Sequence, residues 1–190
     1  MNYLLSGERT LRTQFRLLEK EDYKTWVPIF KEKDTARFLG MEVGLTTEQK
    51  CDKWFEKAFW RYENCVSGMN VMIHATSQKF VGQTGLLIQR VNSLKRLEVG
   101  YSILPEFWKQ GYAKEAAVKL RDIAFERGYD KHFGNSLVSV IHEENIGSIN
   151  VALHNGMTLE AKYQDDSNPE RFLVYSISRA AWLRRTEVEK

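Results

Sequence analysis

A chain of 190 residues and 22.2 kDa has room for one domain with a sizeable core, and its 43% apolar and 12% aromatic content excludes disordered, collagen-like and coiled-coil classes. Against 25 Asp and Glu stand 28 Lys and Arg, a formal net charge of +3. The two signs are dealt evenly along the chain, without the clustered basic stripe that nucleic-acid binding uses.

Thr13 to Leu18 reads as a short strand with Phe15 and Leu17 on one face. Glu19 to Lys33 is predicted helical, because Tyr23, Trp26, Val27 and Phe30 recur at spacings of three and four. A second helix opens at Thr46-Thr47-Glu48 and runs to about Tyr62, with Cys51, Trp54, Phe55, Ala58 and Phe59 on its apolar side. Asn70–Thr76 and Phe80–Gln89 are predicted to form a hairpin across Ser77-Gln78-Lys79. Arg96 to Leu104 alternates as a strand, Leu97, Val99, Tyr101 and Ile103 facing one way and Glu98, Gly100 and Ser102 the other. A helix follows from about Gly111 to Arg127, stopped by Gly128. Ser136–Ile141 is a strand, Asn145–Asn155 a helix with Gly156 just past its end, and Met157–Tyr163 and Arg171–Ile177 are two closing strands. The order β-α-α-β-β-β-α-β-α-β-β predicts a mixed α/β sheet covered on both faces, in a single domain over residues 1–190.

Cys51 and Cys65 are too few for a disulfide framework, and His74, His132, His142 and His154 form no metal-ligand pattern, so no metal site is expected. No apolar run approaches the roughly 20 residues of a membrane span, and Met1 to Arg12 holds no apolar secretory core. The expectation is a reducing, cytoplasmic setting, without membrane or nucleic-acid partners.

Chemistry concentrates where the Arg96–Leu104 strand ends. Pro105, the loop Glu106-Phe107-Trp108-Lys109-Gln110 and the helix start Gly111-Tyr112-Ala113 follow in sequence. A helix N-terminus offers about four unpaired N–H groups and roughly half a positive charge. Small Gly111 and Ala113 let an anion approach that backbone, and Lys109 and Lys114 add charge beside it, offset by Glu115. The glycine spacing of a dinucleotide fingerprint and the G-K-[ST] of a P-loop are both absent. Taken alone, the segment also reads as an ordinary β-α connection. Farther on, Asn145 and Ser148 lie three apart at a helix start, a spacing that simple capping also explains.

Together, Glu98-Val99-Gly100-Tyr101-Ser102-Ile103, Trp108-Lys109-Gln110-Gly111-Tyr112-Ala113-Lys114-Glu115-Ala116 and Asn145-x-x-Ser148 with Asn155-Gly156-Met157 resemble the GNAT superfamily of N-acetyltransferases. Within it they resemble the branch that contains the ribosomal-protein N-terminal acetyltransferases. The resemblance spans about Thr13 to Ser178. It implies a mixed, mostly antiparallel sheet with one splayed parallel strand pair, Arg96–Leu104 beside Ser136–Ile141, and acetyl-CoA as co-substrate in the gap. By the same resemblance the pantetheine arm meets backbone near Ser102, Ile103 and Leu104, the pyrophosphate sits on Lys109, Gln110, Gly111, Tyr112, Ala113 and Lys114, and Asn145 holds the arm from the far side. The loop position the family usually gives to glycine is Lys109 here.

The implied reaction is attack of a neutral primary amine on a thioester. An amine with a pKa of about 10.4 arrives protonated, so a base must take its proton. Glu98 is the candidate base, with an ion pair to Arg96 as its structural alternative. A backbone N–H near Ile103 is expected to meet the developing oxyanion. The family's tyrosine acid, seven residues after the asparagine, falls on Ala152, which leaves Ser148 as the expected proton donor to the thiolate. The acceptor is expected to be a protein N-terminal α-amine or a small amine, met by the N-terminal helices, Phe38-Leu39-Gly40, the Asn92–Lys95 turn and Asp165 and Asp166. Two other readings remain open at this point: an acyl-CoA sensor that does not turn over, and an unrelated α/β scaffold that binds another phosphate compound. A homodimer is left open.

Overall fold

The computed structural model describes residues 1–64, 66–164 and 170–188. Seven strands are placed, β1 (Thr13–Arg16), β2 (Gly68–His74), β3 (Phe80–Val91), β4 (Leu94–Ile103), β5 (Ser136–His142), β6 (Thr158–Gln164) and β7 (Arg171–Ser178), in one sheet of order β1-β2-β3-β4-β5-β7-β6. The helices are α1 (Tyr23–Trp26), α2 (Thr35–Phe38), α3 (Thr47–Asn64), α4 (Tyr112–Glu126), α5 (Ile146–His154) and α6 (Arg179–Val188). All neighbouring strands are antiparallel except β4 and β5, which α4 connects in parallel. This is the mixed, mostly antiparallel α/β sheet that the sequence predicts.

Successive residues of a strand point to opposite faces, and each face here has its own core. On β2, Val71 packs with Trp26, Ile29, Phe30, Cys51 and Phe55 under the N-terminal helices, while Met72 packs with Leu97, Val99, Leu120 and Ala124 under α4. Gly128 and Gly156 stop α4 and α5 in left-handed conformations, with φ of 69° and 80°.

The predicted helix from Glu19 to Lys33 is instead a chain of short turns. A 3-10 turn at Lys20–Asp22 leads into α1, and a second at Val27–Lys31 follows it. Pro28 has no N–H for the carbonyl four residues earlier, so α1 ends there although the spacing of Trp26, Ile29 and Phe30 still buries all three. Neither α2 nor α6 is expected from periodicity; α6 is fixed by Trp182, which stacks on Phe125 at 5.1 Å. No helix among the described residues is long and apolar enough to cross a membrane.

Candidate active site

Between β4 and β5 the parallel register holds at a single pair, Glu98 with Val138, and the strands part beyond it. The β3–β4 register then decides which β4 groups face the opening. Leu104 N–H donates to the Val81 carbonyl, so by antiparallel alternation Ser102 and Gly100 also aim their backbone at β3. Tyr101 and Ile103 aim theirs at the gap. Of the three residues expected to meet the pantetheine arm through their backbone, Ile103 alone faces it. Ser102 reaches the cleft with its side chain, while Leu104 is buried in the N-terminal core. The Ile103 carbonyl is already taken by the indole N–H of Trp108, at 2.6 Å.

The cleft that opens there has a volume of about 1140 Å³ and is lined by both faces of the split. At one end stands the start of α4. Its first intrahelical bond runs from Glu115 N–H to the Gly111 carbonyl, so the N–H groups of Tyr112, Ala113 and Lys114 have no helical acceptor. Gly111 has φ +85° and Lys109 φ 58°, both left-handed, and together they turn the loop so that the helix begins at the cleft. Lys109 thus adopts the conformation glycine tolerates best. Gln110 is exposed and lies off the cleft wall, its side-chain N–H donating to the Glu106 carbonyl.

Arg12 braces this turn from behind. Its N–H and Nε donate to the two Glu115 carboxylate oxygens at 2.9 and 2.6 Å, its Nη1 donates to the Gln110 carbonyl at 3.0 Å, and its guanidinium lies 4.1 Å from the centre of the Tyr112 ring. Burial pushes the Glu115 carboxyl up, but hydrogen bonds from Thr10 and Arg12 outweigh it and hold the group below its ordinary range. The one anion in the first turn of α4 is therefore drawn toward Arg12.

Glu98 occupies the closed end of the split. It is 8% exposed and lines the cleft. Its Oε2 accepts from Gln89 Nε2 at 2.8 Å and its Oε1 from Val140 N–H at 3.2 Å. Burial raises the carboxyl above its ordinary value, and these two bonds and the charges of Arg61 and Lys57 pull it only part of the way back. The ion pair with Arg96 that the sequence allows does not form: Arg96 binds Glu160 at 2.8 Å instead.

Across the gap, Asn145 caps α5, its Oδ1 accepting Ser148 N–H at 3.0 Å. That bond uses one end of the side-chain amide and leaves its NH2 group as a donor at the cleft wall, so capping and a binding role coexist. Ser148 lines the cleft, and its carbonyl accepts the Tyr101 hydroxyl at 2.9 Å. Ala152 is buried in the core beneath α4, so this position of α5 faces away from the opening. Tyr101, whose hydroxyl is held protonated first by burial and then by Glu98, is a cleft residue that the sequence reading did not single out.

Glu98, Ser102, Ile103, Lys109, Gly111, Tyr112, Ala113, Lys114, Asn145 and Ser148 thus converge on one cleft. Phe38, Leu39 and Gly40 line its outer part, whereas Trp26 is core and Trp60 is exposed on α3. Asp165 and Asp166 lie outside the described residues. No group of three or more His, Cys, Asp or Glu among the described residues is placed to hold a metal ion.

An open strand edge, a helix start with spare N–H groups and a buried carboxyl thus meet on one cleft. The model of the acetyltransferase (GNAT) domain matches residues 12–158, and the chain belongs to that family of acetyltransferases, as its motifs imply. Solved structures share the fold. An acetyltransferase from Agrobacterium tumefaciens is 25% identical with a TM-score of 0.72, covering 93% of this chain and 96% of its own. The ribosomal-protein-S5-alanine acetyltransferase of Vibrio fischeri is 16% identical with a TM-score of 0.65, covering 92% and 97%. Spermidine N-acetyltransferase from Vibrio cholerae, in complex with CoA and spermine, is 15% identical with a TM-score of 0.63, covering 90% and 98%.

Proposed function

We propose that this protein moves the acetyl group of acetyl-CoA to the nitrogen of a primary amine, in the cytoplasm, with Glu98 as the proton acceptor. The observation that carries the reading is the place of Glu98: a buried carboxyl at the apex of the split, on the same cleft as the open β4 edge and the start of α4. Acetyl-CoA, when bound, supplies an acetyl group activated as a thioester. The N–H groups of Tyr112, Ala113 and Lys114 receive its diphosphate, with Lys109 and Lys114 adding charge. Tyr101 offers its backbone along the gap, and Asn145 NH2 donates from the opposite wall.

Glu98 then takes the proton that the amine loses, directly or through a water. Its raised pKa suits this, because a base is most effective when its proton affinity lies near the working pH. Ile103 N–H meets the charge that develops on the carbonyl oxygen. The Ser148 hydroxyl donates to the departing sulfur, since Ala152 offers no hydroxyl there. Neighbours of this fold include one named for a protein alanine and one bound to spermine, so both a protein α-amine and a small amine fit the reading.

The test is thiol release from acetyl-CoA over a panel of amines and peptides. We expect Glu98→Gln to lower kcat by about 10²- to 10⁴-fold, the usual reach of a general base, with CoA affinity changed less than about threefold. Unchanged turnover would remove Glu98 from the mechanism.

A further inference from the structure

At the outer part of the cleft Lys53 pairs with Glu42, and Arg37 with Asp34 at 3.3 Å and with Glu144 at 2.5 Å. Near Glu98 the cations outnumber the carboxylates. Two cations of α3, Lys57 and Arg61, line the cleft beside this one carboxyl, and its burial favours the neutral form. Arg61 has structural work to do. It donates to the Ile88 carbonyl at 3.1 Å and to Gln89 Oε1 at 2.9 Å, and so fixes the Gln89 amide that in turn holds Glu98.

Lys57 has no such work. None of the ion pairs among the described residues includes it. Its side chain is exposed and open to the cleft, where desolvation, and after it the charge of Arg61, lowers its pKa against the opposite pull of Glu98. A cation that lines a cleft with no carboxylate at hydrogen-bond distance can receive a ligand anion there. The donor's diphosphate is not that anion, because its cradle is the start of α4, whereas Lys57 belongs to α3 beside Glu98.

Resting on the acetyl-transfer reading, we infer that the acceptor is a primary amine that carries its own carboxylate, which Lys57 receives while the amine reaches Glu98. The two cations also disfavour an ammonium close to Glu98, so the acceptor nitrogen is helped to enter neutral. A polyamine, with further positive charges to place along the same wall, is disfavoured for the same reason.

The experiment compares free amino acids with their amides, and both with spermidine, in the thiol-release assay, and repeats the series on Lys57→Met. A charge-assisted hydrogen bond predicts that the free acid exceeds its amide by about ten- to a hundredfold in kcat/KM, and that Lys57→Met brings the pair within about threefold while leaving CoA affinity unchanged. Calorimetry of the N-acetylated acid and its amide on the protein–CoA complex gives the same comparison without turnover. Equal binding of acid and amide, better turnover of spermidine, or a preference that survives Lys57→Met would overturn the inference. Thiol release from none of the amines, with a Lys57-dependent preference still present in calorimetry, would instead remove the transfer reading and leave the anion site standing.

Discussion

The buried carboxyl of Glu98 makes a prediction about stability that is separate from catalysis. Its folded pKa lies above the ordinary value of 4.5 because burial penalises the charged form. Between that value and the folded one, the unfolded chain has released this proton and the folded chain still holds it. The folded state therefore binds more protons, and stability falls as pH rises, by up to about 1.4 kcal/mol per pH unit within the window. For a chain of this size that is roughly 3 to 6 °C of Tm per unit. Above the folded pKa the loss levels off. Glu98→Gln abolishes the titration. It also sets an NH2 group against either the Gln89 amide or Val140 N–H, a constant cost of about 1 to 3 kcal/mol. The Tm of the variant minus that of the wild type should thus start negative near pH 4.5, climb with pH and then plateau. Scanning calorimetry of both proteins in matched buffers from about pH 4.5 to 8 reads that difference, in which all other titrations cancel. A flat difference would mean that burial does not perturb the carboxyl.

Two substitutions probe the α4 turn. Gly111→Asp puts an anion among the spare N–H groups at φ +85°, where an added Cβ meets only Arg12 Nη2 at 3.5 Å. We expect CoA affinity to fall by about a hundredfold or more by calorimetry, and Tm to fall by only about 2 to 8 °C, the left-handed strain of roughly 1 to 2 kcal/mol. Affinity within about threefold of wild type would move the diphosphate elsewhere. Lys109→Gly relieves similar strain at φ 58° and gives back part of it as backbone entropy in the unfolded chain. A Tm rise of up to about 4 °C in a thermal melt is expected, and a fall would show that the lysine side chain itself is anchored.

Local features of this chain were readable because their causes are local. The alternation of Leu97 to Ile103 fixes β4, and small residues at Gly111 and Ala113 fix the helix start. Pro28 broke the first predicted helix for an equally local reason, the missing N–H, which the apolar spacing around it masked. What could not be read depends on pairings distant in sequence. Arg12 meets Glu115 across 103 positions, and neither residue carries a mark of the other. Which β4 amides face the gap follows from the β3 register, and side-chain alternation is silent about that register. Tyr101 was therefore missed and Leu104 expected in its place. Lys57 looks like any solvated lysine on a helix until the fold sets it beside Glu98.

A bare strand margin is normally a template on which a second polypeptide can grow, the first step toward aggregation. Here the unpaired stretch of β4 lies in the interior of a seven-stranded sheet, with β5 across a narrowing wedge. The strand's free margin is therefore reached through the cleft and not along an outer edge of the sheet. Opening the sheet from within thus places its unpaired margin inside the fold, where the outermost strands β1 and β6 stand between it and the sheet's ends.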